Sequence, residues 1–221
     1  MKKILSILLT LILFFSAEAQ TYSTTWPYIY PDFTDGVIYM KGGQKINHKV
    51  NIHILQGRLH YIDNGVIKEA MGSEILFLEV GDDDYMVIMG DVMRVYGSSE
   101  KGFVARHSTG DFASLQDTGG AYGSSATTQA TRKLSSIEVS GRVNQPHMEL
   151  LLNKDAGQEV DLLHEYYLVT NDYIYKATKR GIMNELDDNQ KKEFKQFLKG
   201  KKIKWKDPES LIQLLDFFNQ E

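Results

Sequence analysis

Turn residues interrupt the chain at short, regular intervals between positions 37 and 107, and this feature constrains the fold more than any other. The runs between the turns are rich in β-branched and aromatic residues, which is typical of strands. The break Asp63-Asn64-Gly65 has the composition of a tight hairpin turn. We therefore expect antiparallel neighbours in a meander, sandwich or barrel. The predicted strands are 37–41, 46–55, 58–62, 66–69, 75–80, 85–89, 92–96 and 103–107.

The next segment, 108–136, changes character, because Gly, Ser, Thr and Ala dominate it and its hydrophobic periodicity disappears. This composition predicts a long flexible loop. After it, the runs 137–143 and 148–152 are predicted to return to the sheet. Two further runs on either side of Asn171-Asp172 predict a hairpin, with strands at 166–169 and 173–176.

The C-terminal part has a helical pattern. Phe194, Phe197 and Leu198 lie three and four residues apart, which predicts a helix over 189–199 that ends at Gly200. Asp207-Pro208 has the composition of a helix start, and a shorter helix is predicted at 178–186. The fold class expected is α+β, with an antiparallel β-rich domain at 20–176 and helices of 177–221 packed against it.

The first 19 residues predict a cleavable signal peptide. Lys2 and Lys3 precede an apolar run over 4–15, and Ala17-Glu18-Ala19 forms a small-x-small site. We expect cleavage between Ala19 and Gln20, and export to the periplasm or the extracellular medium. The apolar run has about a dozen residues, whereas a membrane span needs about 20. No transmembrane segment is expected after the leader is removed.

Cysteine is absent from the chain, which excludes disulfides, thiolate metal ligands, cysteine nucleophiles and lipid attachment through a cysteine. The net charge is −4. Removal of Lys2, Lys3 and Glu18 with the leader changes it to −5, so that the overall charge gives no indication of nucleic-acid binding.

An aromatic and proline-rich segment, 26–33, opens the predicted mature chain, and its two prolines exclude a regular helix. Stacking on sugars and covering a sheet edge both use such residues, and we favour the structural role. This segment, the hairpin near Tyr173 and the Lys-rich C-terminal segment resemble an uncharacterised family of proteins exported by Bacteroidetes-type bacteria. The resemblance implies an exported β-rich protein with a helical tail, and brings no catalytic residues with it.

Metal and cofactor motifs are missing. The six histidines do not have the spacing of a metal site, and we expect each to be exposed or hydrogen-bonded. The turn containing Asp82 and Asp84 is acidic, but it lacks the pattern of a calcium-binding loop, which favours a solvated hairpin. Asp82 and Asp84 are the calcium ligands to test if one binds. No cofactor is expected, and neither a serine-nucleophile elbow nor a phosphate loop is present.

The other candidate functional residues are clusters of charged side chains. Eight lysines fall between positions 191 and 206, where they either keep a helix solvated or bind an anionic surface or partner. We expect a noncatalytic cell-envelope protein that binds an envelope protein or surface ligand. A secreted hydrolase of glycan or peptide stays open, because Glu149, Glu159, Asp161 and Glu165 need only meet in space. The candidate binding lysines are Lys191, Lys192, Lys195, Lys199, Lys201 and Lys202.

Overall fold

A computed structural model describes residues 23–55, 57–111, 145–152 and 159–219. The predicted signal peptide, the predicted strand 137–143 and most of the predicted loop lie outside the described residues. The described part is mainly one antiparallel sheet with helices at its C-terminal end. This confirms the predicted α+β class.

Within the described residues, twelve strands form the sheet, in the order β1-β11-β9-β8-β7-β6-β2-β3-β4-β5-β10, with β12 paired to β11. Every described pairing is antiparallel, and the pairs of consecutive strands from β2 to β5 and from β6 to β9, together with β11 and β12, are hairpins joined by short turns. The strands are β1 (Ser23–Thr24), β2 (Thr34–Met40), β3 (Lys45–His53), β4 (Arg58–Asp63), β5 (Val66–Glu69), β6 (Ile75–Val80), β7 (Asp83–Ile88), β8 (Asp91–Ser99), β9 (Gly102–Gly110), β10 (Gln145–Pro146), β11 (Val160–Val169) and β12 (Ile174–Lys176).

The predicted tight turn is confirmed at Asn64-Gly65. Asp63 pairs with Val66, and the two residues between them have φ values of 51° and 78°. Two positive φ values in a two-residue loop match the twist of a hairpin. Met89-Gly90 has the same form, with φ values of 53° and 95°, although methionine rarely adopts a positive φ.

The sheet curls until the β3–β4 turn reaches strands that are remote in the pairing order. The Val92 N–H donates to the Gly57 carbonyl and the Gly110 N–H donates to the Ile54 carbonyl, both at 2.8 Å. Arg58 Nη1 donates to the Gly90 carbonyl, also at 2.8 Å. Inside the curl is an apolar cluster of Ile38, Val50, Ile52, Leu59, Ile75, Leu78, Val80, Tyr85 and Val92.

The aromatic and proline-rich segment runs beside the end of β3. The Ile29 N–H donates to the Ile52 carbonyl and the Ile54 N–H to the Pro27 carbonyl, both at 3.0 Å. Trp26 and Tyr28 are 2% and 0% exposed. Because these rings are buried, the favoured structural role is confirmed, and neither ring is accessible to a sugar.

Four helices are described: α1 (His147–Leu152), α2 (Lys179–Glu185), α3 (Asp188–Phe197) and α4 (Pro208–Ile212). Asp187 caps α3 through a capping box with Gln190, and Asp207 caps α4 next to Pro208. Such side chains satisfy amide groups that the first turn leaves free. The three predicted C-terminal helices are confirmed.

The C-terminal helices pack on strands β9 and β11. Phe194, Leu211 and Leu214 are fully buried together with Val104 and Leu168 of the sheet. Full burial of such side chains contributes about 1.5 to 3 kcal/mol each. Among the described residues, no helix is both long and apolar enough to cross a membrane.

Two expectations were wrong. The run 148–152 was predicted as a strand but forms α1, in which Met148 and Leu152 are 62% and 82% exposed. A short apolar run does not distinguish helix from strand, and Met, Glu and Leu all favour helix. The predicted loop also began too early, because β9 continues to Gly110.

Gly102 provides a test of the β9–β11 pairing. Its φ is +133°, and a Cβ at this position would lie 2.1 Å from the Val169 carbonyl oxygen. We expect Gly102→Ala to lower the free energy of unfolding by about 2 kcal/mol or more, because backbone strain adds to a clash with backbone. Urea unfolding followed by circular dichroism measures this. Gly42→Ala is the control, since a Cβ there has nothing within 4 Å, and equal midpoints for both variants would contradict the prediction.

Candidate functional site

The C-terminal lysines lie on α3 and on the link that follows it. Along the link, Ile203 and Trp205 are partly buried against the helical core, whereas Lys202, Lys204 and Lys206 are exposed. This alternation turns the two apolar side chains inward. The three lysines between and beside them are therefore left in the solvent.

These lysines have few partners within the protein. The segment 195–206 contains six lysines and no acidic residue. Lys191 is 3.6 Å from Asp188 and is only partly exposed, and Lys201 Nζ lies 3.5 Å from the centroid of the Phe197 ring. Among the described residues, no carboxylate lies within 4 Å of the other lysines of this region. We define the lysine face as the exposed residues Lys192, Lys195, Lys199, Lys201, Lys202, Lys204 and Lys206.

The calcium candidates Asp82 and Asp84 are both exposed, at the turn before β7 and in its second residue. Asp83, between them, is instead bonded to Tyr30 and Arg94. In the part of the chain that the structure describes, no three His, Asp or Glu residues are grouped as metal ligands would be. The acidic turn therefore consists of two solvated carboxylates and one that is used within the protein.

Two histidines that the sequence analysis treated singly form a buried pair. His53 and His60 lie on neighbouring strands, with ring centroids 5.0 Å apart and planes inclined by 20°. Both are 0% exposed. The hydroxyl of Tyr28 is 2.9 Å from His60 Nδ1. The register between β3 and β4 brings the two rings together. The spacing of His53 and His60 along the chain does not indicate that they are in contact.

Burial holds His60 neutral. Desolvation, with a smaller contribution from His53, lowers the pKa of His60 to about 3. Its Nε2 lies 3.5 Å from Glu69 Oε2, and the His60 side chain is only 1% exposed. Both rings are therefore enclosed by the protein and are not accessible from its surface.

The carboxylates considered for a hydrolase are on the outer side of the sheet. Glu159, Asp161 and Glu165 are all exposed. Glu165 bonds to Lys176, whose ammonium group lowers the pKa of that carboxyl. A general acid needs a raised pKa, and Glu165 has the opposite environment. The side chain of Glu149 lies outside the described residues.

A polar row that the sequence does not reveal crosses the curled side of the sheet. Tyr85, Arg94, Arg106 and Tyr166 lie directly opposite one another on β7, β8, β9 and β11. The two arginines stand side by side on adjacent strands, where like charges repel. Their positions follow from strand register, and a single arginine in each strand carries no such signal.

The buried histidine pair predicts loss of stability in acid. Because the pKa of His60 is about 3 in the folded protein and that of an exposed histidine is about 6.5, the unfolded state binds the extra proton between these pH values. Stability is thus present above pH 6.5 and falls as the pH decreases, by at most about 1.4 kcal/mol per pH unit for one histidine. Urea unfolding between pH 7 and pH 4 measures the slope.

His60→Gln should reduce this pH dependence. Tyr28→Phe is the matched control, because it removes the hydroxyl next to His60 but keeps the imidazole. It should cost about 1 kcal/mol at pH 7 and retain the slope of the unchanged protein. An unchanged slope in His60→Gln would show that other groups cause the acid sensitivity.

Comparisons with protein-family models, with curated proteins and with solved structures find no match for this chain.

Proposed function

We propose that this protein is a noncatalytic exported protein of the cell envelope that binds an anionic surface through its lysine face. One observation carries the proposal: seven exposed lysines have no carboxylate within 4 Å among the described residues. Lysines that serve only to solvate a helix are usually interspersed with acidic residues. The segment 195–206 has none.

The magnitude of the expected attraction supports a surface as the partner. Each basic residue close to an anionic membrane contributes about 1 kcal/mol. The full chain has a net charge of −4, so the excess of positive charge is local to this face. A protein with this distribution binds in one orientation, with the C-terminal helices towards the surface and the sheet away from it.

The alternative of a secreted hydrolase has weaker support. It requires a carboxyl with a raised pKa opposite a carboxylate that stays ionised. Of the candidates, Glu165 has a lowered pKa because of Lys176, and Glu159 accepts a hydrogen bond from Ser23 at the sheet edge. Surface binding is supported by a specific feature, the lack of carboxylates near the lysine face among the described residues. No comparable feature supports a hydrolase.

Vesicle binding tests the proposal. The chain 20–221 is mixed with vesicles of phosphatidylglycerol and phosphatidylcholine, and with vesicles of phosphatidylcholine alone, and bound protein is measured by sedimentation. We expect binding to the anionic vesicles only. Binding should decrease strongly between 50 mM and 500 mM salt, because the added ions screen the attraction between the lysine side chains and the anionic headgroups. The variant Lys202→Gln, Lys204→Gln, Lys206→Gln should bind about a hundredfold more weakly, at about 1 kcal/mol per lysine.

The control removes the same charge from another place. Lys41, Lys45 and Lys49 are also exposed, and lie in and beside the β2–β3 hairpin, remote in sequence from the lysine face. Replacing all three with Gln should leave vesicle binding within about twofold. Equal losses in both triple variants would mean that total charge is sufficient. Binding to neither vesicle type would contradict the proposal and favour an envelope protein as the partner.

A further inference from the structure

The polar row on the curled side of the sheet also includes Asp83, which lies two residues before Tyr85 on β7, and both oxygens of this carboxylate already have partners. Asp83 receives a hydrogen bond on Oδ2 from the Tyr30 hydroxyl at 2.7 Å, and its Oδ1 forms an ion pair with Arg94 Nη2. The Tyr30 and Tyr85 hydroxyls are 2.6 Å apart. Since Tyr30 donates its proton to Asp83, Tyr85 is the donor to Tyr30. Tyr30, Asp83, Arg94 and Tyr85 therefore each have a hydrogen-bond or ion-pair partner within this set.

In the part of the chain that the structure describes, Arg106 has no such partner. It lies opposite Arg94 across the β8–β9 pair. Among the described residues, no carboxylate lies within 4 Å of its guanidinium, and its buried Nε has no acceptor. Its Cζ lies 5.1 Å from the centroid of the Tyr96 ring, and that of Arg94 lies 4.9 Å from the same centroid. Contact with an aromatic face orients a guanidinium, but it leaves the N–H groups without acceptors.

Among the described residues, His164 and Tyr85 are titratable groups close enough to Arg106 for its charge to affect them, and neither supplies a negative charge. His164 Nδ1 lies 2.9 Å from Ser108 Oγ, and burial together with Arg106 lowers the pKa of His164 to about 4. Burial also raises the pKa of Tyr85 to about 12. At neutral pH both are therefore uncharged. The row then has two positive charges and one negative charge, which leaves one positive charge unbalanced.

An unbalanced charge in a partly buried place is costly for a protein. Such a residue is often retained for binding, at the expense of stability. The place is open to small solutes, since the side chain of Arg94 is 32% exposed. Arg106 is also partly exposed. A planar guanidinium oriented by an aromatic ring presents its edge to a carboxylate in a two-point contact.

We propose that Arg106, with Arg94 beside it, is a binding site for the carboxylate group of a ligand. A single carboxylate cancels the one unbalanced charge of the row and gives the guanidinium N–H groups the acceptors that the described residues do not provide. Phosphate carries up to two negative charges, whereas the row has only one unbalanced positive charge. The site is noncovalent, and is separate in sequence and in charged groups from the lysine face.

Anion titrations of the chain 20–221 test this inference, with acetate as the probe and sodium chloride used to hold the ionic strength constant. The melting temperature Tm is measured at each concentration. At about ten times the dissociation constant, acetate should raise Tm by about 3 to 6 °C. Phosphate at the same concentration should raise it less. A larger effect of phosphate would overturn the assignment to carboxylate.

Variants locate the site. Arg106→Gln should abolish the acetate effect, and without acetate its Tm should equal or exceed that of the unchanged protein, because an unbalanced charge has been removed. Arg180→Gln is the matched control, since Arg180 is exposed on α2, and it should keep the full acetate effect. An acetate effect that persists in Arg106→Gln would overturn the proposal.

A second measurement covers the case in which Arg106→Gln does not fold. Arg106→Lys keeps the charge but lacks the planar pair of donors, and it should bind acetate at least tenfold more weakly. In the unchanged protein labelled with ¹⁵N-arginine, the Nε–H resonance of Arg106 should shift with acetate and not with chloride. No shift, or equal binding by the lysine variant, would overturn the inference.

Discussion

The closure of the sheet onto itself is the constraint on which the rest of the structure depends. The turn between β3 and β4 bonds through its backbone to the start of β8 and the end of β9, at Gly57–Val92 and Ile54–Gly110. Gly57 has a φ of +62°, and a Cβ there would lie 2.6 Å from His107 Nε2. Because these contacts join strands remote in the pairing order, they enclose the apolar cluster on one side of the sheet.

Closure also determines how polar groups are distributed. Residues on the enclosed side must be apolar or satisfied by partners, because burial without a hydrogen bond costs several kcal/mol. Tyr30, Tyr85, Asp83 and Arg94 satisfy one another there. The unmatched member is Arg106, whose charge the described residues do not balance. The lysine face lies outside this enclosure. Water solvates its ammonium groups, so the protein loses little stability when they have no ion-pair partner.

Local chemistry explains which expectations were correct. Asn64-Gly65 formed the expected turn because few residues other than Gly and Asn accept positive φ. Asp207-Pro208 began a helix because the cap and the proline both act within one turn. The run 148–152 was misinterpreted because a short apolar run is compatible with either structure. The histidine pair and the polar row were not predicted, because their members come from different strands.

The β-rich character of the chain, its tight turns, its C-terminal helices and its concentration of lysine can therefore be predicted from the amino-acid order alone, since each depends on neighbours within a few residues. Only the tertiary structure decided that His53 and His60 are stacked in the interior and that Arg94 and Arg106 are adjacent. The physical reason is strand register. A shift of one residue moves every side chain to the opposite face, and register is set by turns and by core packing across the whole sheet.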